Sequence, residues 1–139
     1  MKLLTNSIYE QLLRNGRIRL ALAIEGKGKA EADFIPVVKF FTPDANCTWI
    51  ITELDPDEPD IAFGLCDLGM GCPELGSVRI SELESVRGRL GLPVERDLHF
   101  VATHTLMTYA RAAWNAAAIT EYEDALRQAA IAAAEGGAA

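Results

Sequence analysis

The sequence is poor in the residues that most often build metal and disulfide sites. It contains two histidines and three cysteines among 139 residues, and Cys47, Cys66 and Cys72 show no C-x-x-C spacing. An odd number of cysteines cannot all pair in a disulfide framework, and a structural zinc site lacks its usual ligand pairs. We interpret the three as reduced thiols that are buried or partly buried, and we expect neither a metal nor a cofactor.

Long apolar runs and nucleotide-binding motifs are also missing. No apolar stretch approaches the roughly 18 to 20 residues that a membrane-spanning helix needs. Polar Thr5, Asn6 and Ser7 interrupt the N-terminal segment where a signal peptide has its apolar core. The glycines of residues 64–76 form neither G-x-G-x-x-G nor a Walker loop with its lysine. We therefore expect a cytoplasmic protein without a membrane partner and without a phosphate-binding loop.

Negative charge is in excess, and it is concentrated in the middle of the chain. The net charge is −7, and residues 34–100 contain twelve acidic and five basic side chains. A surface of this sign repels the phosphate backbone, so direct nucleic-acid binding is not expected. The length and the apolar fraction of 50% predict a single globular domain with one core.

The N-terminal third predicts a helix, a strand and a loop. Apolar residues at helical spacing predict a short helix over residues 5–15, which Thr5 or Ser7 would cap and which ends at an asparagine–glycine pair. Ser7 also has the capping-box spacing to Glu10. Bulky residues at every second position favour a strand over residues 17–24. Polar residues and two glycines predict a loop at 26–33.

The middle of the chain predicts four short strands in an antiparallel meander. Aromatic and β-branched residues favour strands at 33–41 and 47–54, and the turn residues of 42–46 join them as a hairpin. A third strand is predicted at 61–68 and a short fourth strand around 77–80. Strands at such spacing are typical of an antiparallel sheet.

The remaining elements are predicted to be helical. A short helix begins at Ser81, which has a capping-box spacing to Glu84. The alanine-rich C-terminal segment has a high helix propensity, and a further capping box within it divides it into helices at 104–118 and 121–134. An extended segment that begins near Pro93 connects these two regions.

These elements together predict an α+β fold. It consists of an antiparallel sheet of three to five strands with short helices packed on it, followed by a C-terminal alanine-rich helical pair. Residues 1–100 would form the α+β domain, and residues 101–139 would be a helical extension packed on the same domain. Because alanine-rich helices can approach one another closely, this pair is also a candidate surface for a homodimer.

An acidic loop is the first candidate site, and we predict that it binds a partner. Carboxylate oxygens suit hard cations, but the calcium-loop pattern is absent and two prolines stiffen the segment. A solvated loop is therefore favoured over a metal site. The carboxylates would alternatively imitate nucleic acid toward a DNA-binding protein. The cluster consists of Glu53, Asp55, Asp57, Glu58 and Asp60.

A second cluster offers a catalytic alternative. In a strand, Glu95, Asp97 and His99 would share one face, which is an arrangement that general acid–base chemistry can use. An ion pair between Arg96 and a neighbouring acid explains the same residues without catalysis. No nucleophile motif accompanies them, so we favour the structural interpretation and keep a small hydrolase-like enzyme as the alternative.

Several segments in order resemble a known family. MKLLT, KFFTPDANCTW, ELD, FGL and LGSVRISELESVRGRLGLPVERDLHF are similar to the domain of unknown function twenty-nine fifty-eight family of small bacterial proteins. The resemblance covers residues 1–100. It implies a place on plasmids, phages and integrated elements, and it carries no assigned activity and no site residues.

That context leads to a functional expectation by analogy. We expect a mobile-element accessory protein that acts by protein binding, such as a counter-defence inhibitor of the anti-restriction or anti-CRISPR type. Its partner would be a host defence protein or a nucleic-acid-binding protein, which the acidic loop contacts.

Overall fold

The fold is a five-stranded antiparallel sheet with helices on both faces, described for residues 2–26 and 32–136 by a computed structural model. The strands lie in the order β4-β3-β2-β1-β5. The predicted α+β class, meander and C-terminal helical pair are confirmed. In chain order the elements are α1 (Asn6–Ile24), β1 (Val38–Phe41), β2 (Thr48–Leu54), β3 (Ile61–Asp67), β4 (Glu74–Arg79), α2 (Ile80–Ser85), β5 (Glu95–Arg96), α3 (Leu106–Ala116) and α4 (Glu123–Glu135).

The N-terminal region departs most from the prediction, because residues 6–24 form one helix. The hydroxyl of Thr5 caps it by accepting a hydrogen bond from the Ile8 N–H at 3.1 Å. Of the two predicted caps, Thr5 is therefore confirmed, and the capping box of Ser7 and Glu10 is wrong. The predicted strand at 17–24 is wrong too. Its bulky residues at every second position are largely exposed on a helix rather than aligned on one face of a sheet. Part of the predicted loop at 26–33 lies outside the described residues.

The asparagine–glycine pair that was predicted to end the helix is buried inside it. The Asn15 side chain donates a hydrogen bond to the Thr52 carbonyl oxygen at 2.8 Å. Gly16 lies directly against β2, since a Cβ atom at this position would come within 1.8 Å of the Leu54 carbonyl oxygen. The pair therefore serves the close packing of α1 on the sheet.

The sheet divides the apolar interior into two clusters, where the sequence predicted one core. Neighbouring residues of a strand point to opposite faces, so Trp49 and Ile51 face α1 while Ile50 faces α3 and α4. On the second face Ile50 and Leu65 of the sheet pack against residues of the two C-terminal helices, which are Leu106, Tyr109, Ala110, Ala112, Ala113, Leu126 and Ala129.

The two later capping boxes are also wrong. Ser81 does not cap α2 with its hydroxyl, because both its N–H and its Oγ donate to the Asp60 carboxylate, at 2.9 and 2.6 Å. The Thr120 hydroxyl accepts a hydrogen bond from the Tyr122 N–H at 3.1 Å, and α4 starts only at Glu123. At the start of both helices, the predicted capping residue forms hydrogen bonds that differ from those of a capping box.

The hairpin turn between β1 and β2 fastens the loop that precedes β5. The Asp44 carboxylate accepts hydrogen bonds from the N–H groups of Leu90 and Leu92 at 2.7 and 3.4 Å. It reaches them across Gly88, where a Cβ atom would lie 1.6 Å from Asp44 Oδ1. The loop and the turn therefore fit together only because Gly88 has no side chain.

Gly88→Ala is expected to lower the free energy of unfolding by about 2 kcal/mol, because the displaced carboxylate loses two hydrogen bonds to N–H groups. Gly76→Ala is the matched control, since a Cβ atom there meets nothing within 4 Å. Urea unfolding followed by circular dichroism measures both. Equal stability of the two variants would contradict this account of Gly88.

Candidate protein-binding groove

An open cavity of about 380 Å³ lies between α1 and the strands β2, β3 and β4. The polar side chains Asp55 and Ser77 belong to its lining together with the ion pair described below. A cavity of this size is at the small end of ligand sites and accommodates one or two side chains. Most of its lining is apolar or glycine, and these residues are Gly16, Leu20, Ala23, Leu54, Pro56, Ile61 and Phe63.

A buried ion pair forms one wall of this cavity. The Nε–H of Arg19 donates to the Glu53 carboxylate, and Nη2 donates to the Ala32 carbonyl oxygen at 2.9 Å. The guanidinium carbon lies 5.5 Å from the ring centroids of both Phe34 and Phe63, which is within the range of cation–π attraction. The α1 helix is thereby tied to β2 and β3 at this point.

Glu53 is the buried member of the pair. Its side chain is 6% exposed, compared with 28% for Arg19. The Thr52 hydroxyl donates a further hydrogen bond to the carboxylate at 3.0 Å. Burial of an ionised carboxylate is costly unless it is paired and hydrogen-bonded, and Arg19 and Thr52 meet that requirement. Among the residues predicted to bind a partner, Glu53 is therefore buried in the wall of the cavity and is not part of the exposed acidic surface.

Two members of the acidic loop are engaged with a single arginine. The Nη1 of Arg79 lies 3.0 Å from a Glu58 carboxylate oxygen and 3.6 Å from an Asp60 oxygen. Hydrogen bonds from Ser81, and to a smaller extent the charge of Arg79, hold the pKa of the Asp60 carboxyl below its usual value. These two acids therefore fasten the β2–β3 loop to β4 and α2.

Asp55 and Asp57 are the exposed acids of the loop that form no ion pair with a described residue. Asp55 accepts a hydrogen bond from the Asp57 N–H at 2.9 Å, which fixes the turn. Within the described residues no side chain pairs with the Asp57 carboxylate. The acidic cluster is thus divided into a buried acid, two acids paired with Arg79 and two exposed acids without a described ion pair.

The structure brings Glu95, Asp97 and His99 to one shallow depression of about 280 Å³. Asp97 is held there by the Lys39 ammonium at 3.5 Å and by the His99 N–H, which donates to it at 2.8 Å. None of the described lining residues is a serine, threonine or cysteine. The depression therefore contains the three titratable side chains of the hydrolase alternative but no side-chain nucleophile. The hydrolase alternative stays a prediction.

Arg96 departs from the predicted ion pair. Its Nη1 donates to the carbonyl oxygens of Lys2 and Leu3, at 2.9 and 2.7 Å. The arginine thus fastens the segment before α1 to β5, which is the short strand at one edge of the sheet.

The three cysteines are free thiols. Cys47 and Cys66 are half-buried, whereas Cys72 is exposed, contrary to the prediction. Burial, with a smaller effect of the Glu74 charge, raises the pKa of the Cys66 thiol. Among residues 2–26 and 32–136, no three His, Cys, Asp or Glu side chains are grouped as a metal site requires.

The candidate binding groove consists of this cavity and the adjoining acidic loop. The groove could not be found from the sequence. Its ion pair joins Arg19 to a residue 34 positions later, and its lining comes from α1, three strands and the β2–β3 loop. Only the acidic loop carried a local signal, because five acids stand within eight residues. No helix in the described part of the chain is long and apolar enough to cross a membrane.

The sheet, the helices on both of its faces and the groove define a small α+β protein with an open apolar cavity beside an acidic loop. The chain belongs to the family described as Protein of unknown function (DUF2958), whose model matches residues 3–120. This is the family that the sequence segments resemble, and the match continues beyond residue 100 through α3. No curated protein and no solved structure matches the chain significantly.

Proposed function

We propose that the protein acts by binding another protein through this groove. The observation that carries the proposal is the position of Asp55, an exposed acid that belongs both to the apolar cavity and to the acidic loop. Protein interfaces commonly combine an apolar pocket, which takes an anchoring side chain, with a polar rim. A partner segment that carries an apolar anchor flanked by Lys or Arg fits this combination.

The family resemblance indicates the biological context in which this binding would occur. An association with plasmids, phages and integrated elements suits an accessory protein that works in the cytoplasm of the host cell. A host defence protein or a nucleic-acid-binding protein is a suitable partner, because such proteins expose basic surfaces for phosphate backbones. An acidic protein that occupies such a surface would act as a counter-defence inhibitor. Pairing of two copies through α3 and α4 is a separate proposal.

Asp57→Lys is expected to weaken binding of the partner roughly tenfold, mainly by slowing association, because it reverses an exposed charge at the rim of the groove. The partner is first captured from host lysate by cross-linking to the full chain. It is then identified by mass spectrometry, purified and titrated by calorimetry. Glu84→Lys is the matched control, since Glu84 is an exposed acid on α2 and the change in net charge is the same.

The proposal predicts that Asp57→Lys loses affinity and that Glu84→Lys keeps it. Equal losses would indicate a response to net charge alone and would remove the groove from the binding site. Unchanged binding by both variants would do the same. Both variants should unfold at the same urea concentration as the natural chain, because neither carboxylate has a described side-chain partner.

A further inference from the structure

The two edges of the sheet differ in how they are protected. At one edge β5 is only two residues long (Glu95–Arg96). At the other edge β4 has six residues, and it pairs with β3 in a continuous register from Ile61↔Arg79 to Cys66↔Glu74. Proteins usually protect an edge strand with a bulge, a proline, a lysine or a short length. Glu74–Arg79 has no bulge, proline or lysine, and its two charged residues lie at its ends, where Arg79 is paired with Glu58 and Asp60.

The outer edge of β4 presents backbone N–H groups that no described residue uses. The Ile80 N–H donates to the Asp60 carbonyl oxygen at 2.8 Å, which makes these two residues a hydrogen-bonded pair of the ladder. In an antiparallel ladder hydrogen-bonded and non-hydrogen-bonded pairs alternate. The N–H and C=O groups of Leu75, Ser77 and Arg79 therefore point away from β3. No described residue outside the ladder bonds to these N–H groups.

This open edge borders the groove. Ser77 is exposed, belongs to the lining of the cavity and lies directly across from Phe63, which also lines it. In a sheet, residues directly opposite one another on neighbouring strands project to the same face. A residue of an added strand that lies opposite Ser77 would therefore project toward the cavity side.

The acidic loop lies at the Arg79 end of the same strand. The ion pairs of Arg79 with Glu58 and Asp60 join the loop to β4, and they offset the one positive charge of the strand. The exposed acids Asp55 and Asp57 belong to the same loop. A strand laid along β4 would have an apolar site near its middle, the acidic loop at the Arg79 end and the single exposed acid Glu74 at the other end.

We infer that the partner segment binds as an extended strand that pairs with the outer edge of β4. It carries an apolar residue opposite Ser77, whose side chain enters the cavity, and a Lys or Arg two residues away toward the acidic loop. Main-chain hydrogen bonds to Leu75, Ser77 and Arg79 supply affinity, and the cavity and the loop supply specificity. The inference rests on the proposed protein-binding function and defines the conformation and the charge of its ligand.

The first test identifies the ligand pattern with a defined probe. A phage-displayed library of random dodecapeptides is selected on the full chain, and enriched peptides are synthesised and titrated by fluorescence anisotropy. We expect an apolar residue and a Lys or Arg at a spacing of two, which is the period of a strand. Enrichment of apolar residues at spacings of three and four would indicate a helix in the groove and would overturn the inference.

The second test locates the bound peptide through amide hydrogen exchange measured by NMR. In the free protein the outward N–H groups of Leu75, Ser77 and Arg79 should exchange fast, whereas those of Gly76 and Val78 are already protected by β3. Binding should slow the three outward amides at least roughly tenfold. A peptide that binds and leaves them unprotected overturns the inference. Slow exchange of the same amides without peptide, which becomes slower as the protein concentration rises, would show that the edge pairs with a second copy of the chain. That result would also overturn the inference.

The third test uses a pair of substitutions at the centre of the edge. Ser77→Pro removes an outward N–H and places a ring in the path of an added strand, and proline is tolerated at such edge positions. It should lower peptide affinity at least roughly tenfold, while Ser77→Ala keeps the N–H and should bind normally. If Asp57→Lys weakens peptide binding and Ser77→Pro does not, the groove binds its partner without strand pairing. If no peptide binds and no captured protein depends on Asp57, the proposed function fails as well.

Discussion

Gly16→Ala is expected to lower the free energy of unfolding by about 3 kcal/mol, although alanine normally stabilises a helix by about 1 kcal/mol relative to glycine. The added Cβ would lie 1.8 Å from the Leu54 carbonyl oxygen, 3.1 Å from its carbonyl carbon and 3.3 Å from Pro56 Cδ. Two of these atoms are backbone atoms of the sheet, so no side-chain rotation relieves the contact. The helix α1 must move away from β2, which disturbs a close-packed core.

Arg17→Ala is the control for this substitution. Arg17 is the next residue of the same helix and is exposed, so its replacement should change stability by less than about 0.5 kcal/mol. Urea unfolding of both variants, followed by far-ultraviolet circular dichroism, gives the comparison. A Gly16→Ala variant that is as stable as the natural chain would show that α1 does not lie against the β2 backbone as described. The hydrogen bond from Asn15 to Thr52 should be lost in the same variant.

The strands could be predicted because their signals are local. β-branched and aromatic residues, separated by turns that contain proline, asparagine and glycine, indicate where the strands and turns of the meander lie. β1 begins only at Val38 rather than at 33, because Pro36 has no N–H to donate to a ladder. The start of β4 at Glu74 was missed, since its residues carry no alternating apolar pattern.

The errors concern places where a distant contact overrides a local preference. The pair Asn15-Gly16 has the composition of a helix end, but the β2 backbone lies so close that glycine is needed inside the helix. Ser81 has the spacing of a capping residue, but Asp60, 21 residues earlier, takes both its N–H and its hydroxyl. Local propensity is a weak prior that tertiary contacts override. The sequence alone does not record which contacts will form.

The candidate site, like the fold, was predictable only where its signal is local. The acidic loop was recognisable as a run of charges, but the sequence could not separate buried Glu53 from exposed Asp57. That separation depends on Arg19, which reaches the strand end from a helix 34 residues earlier. The open edge of β4 is a property of the strand order, which places Glu74–Arg79 outermost.

Arg19→Met is expected to lower the free energy of unfolding by roughly 3 kcal/mol, because it leaves the buried Glu53 carboxylate without a cation. Thr52 would remain as its only described side-chain partner. Glu53→Leu should cost less, since the partly exposed guanidinium between Phe34 and Phe63 can still contact water. The double variant, which replaces the pair with apolar side chains of similar size, should lie within about 1 kcal/mol of the natural chain.

Urea unfolding of the four proteins gives the coupling energy of the pair directly. A loss below about 0.5 kcal/mol for Arg19→Met would show that the carboxylate is solvated, and it would return Glu53 to the exposed acidic surface.

The double variant also separates stability from binding. It should retain the Asp57-dependent partner, because Glu53 fastens α1 to the sheet, whereas in the proposed function the exposed acids Asp55 and Asp57 contact the partner. Loss of that partner in a stable double variant would instead make the ion pair part of the binding surface.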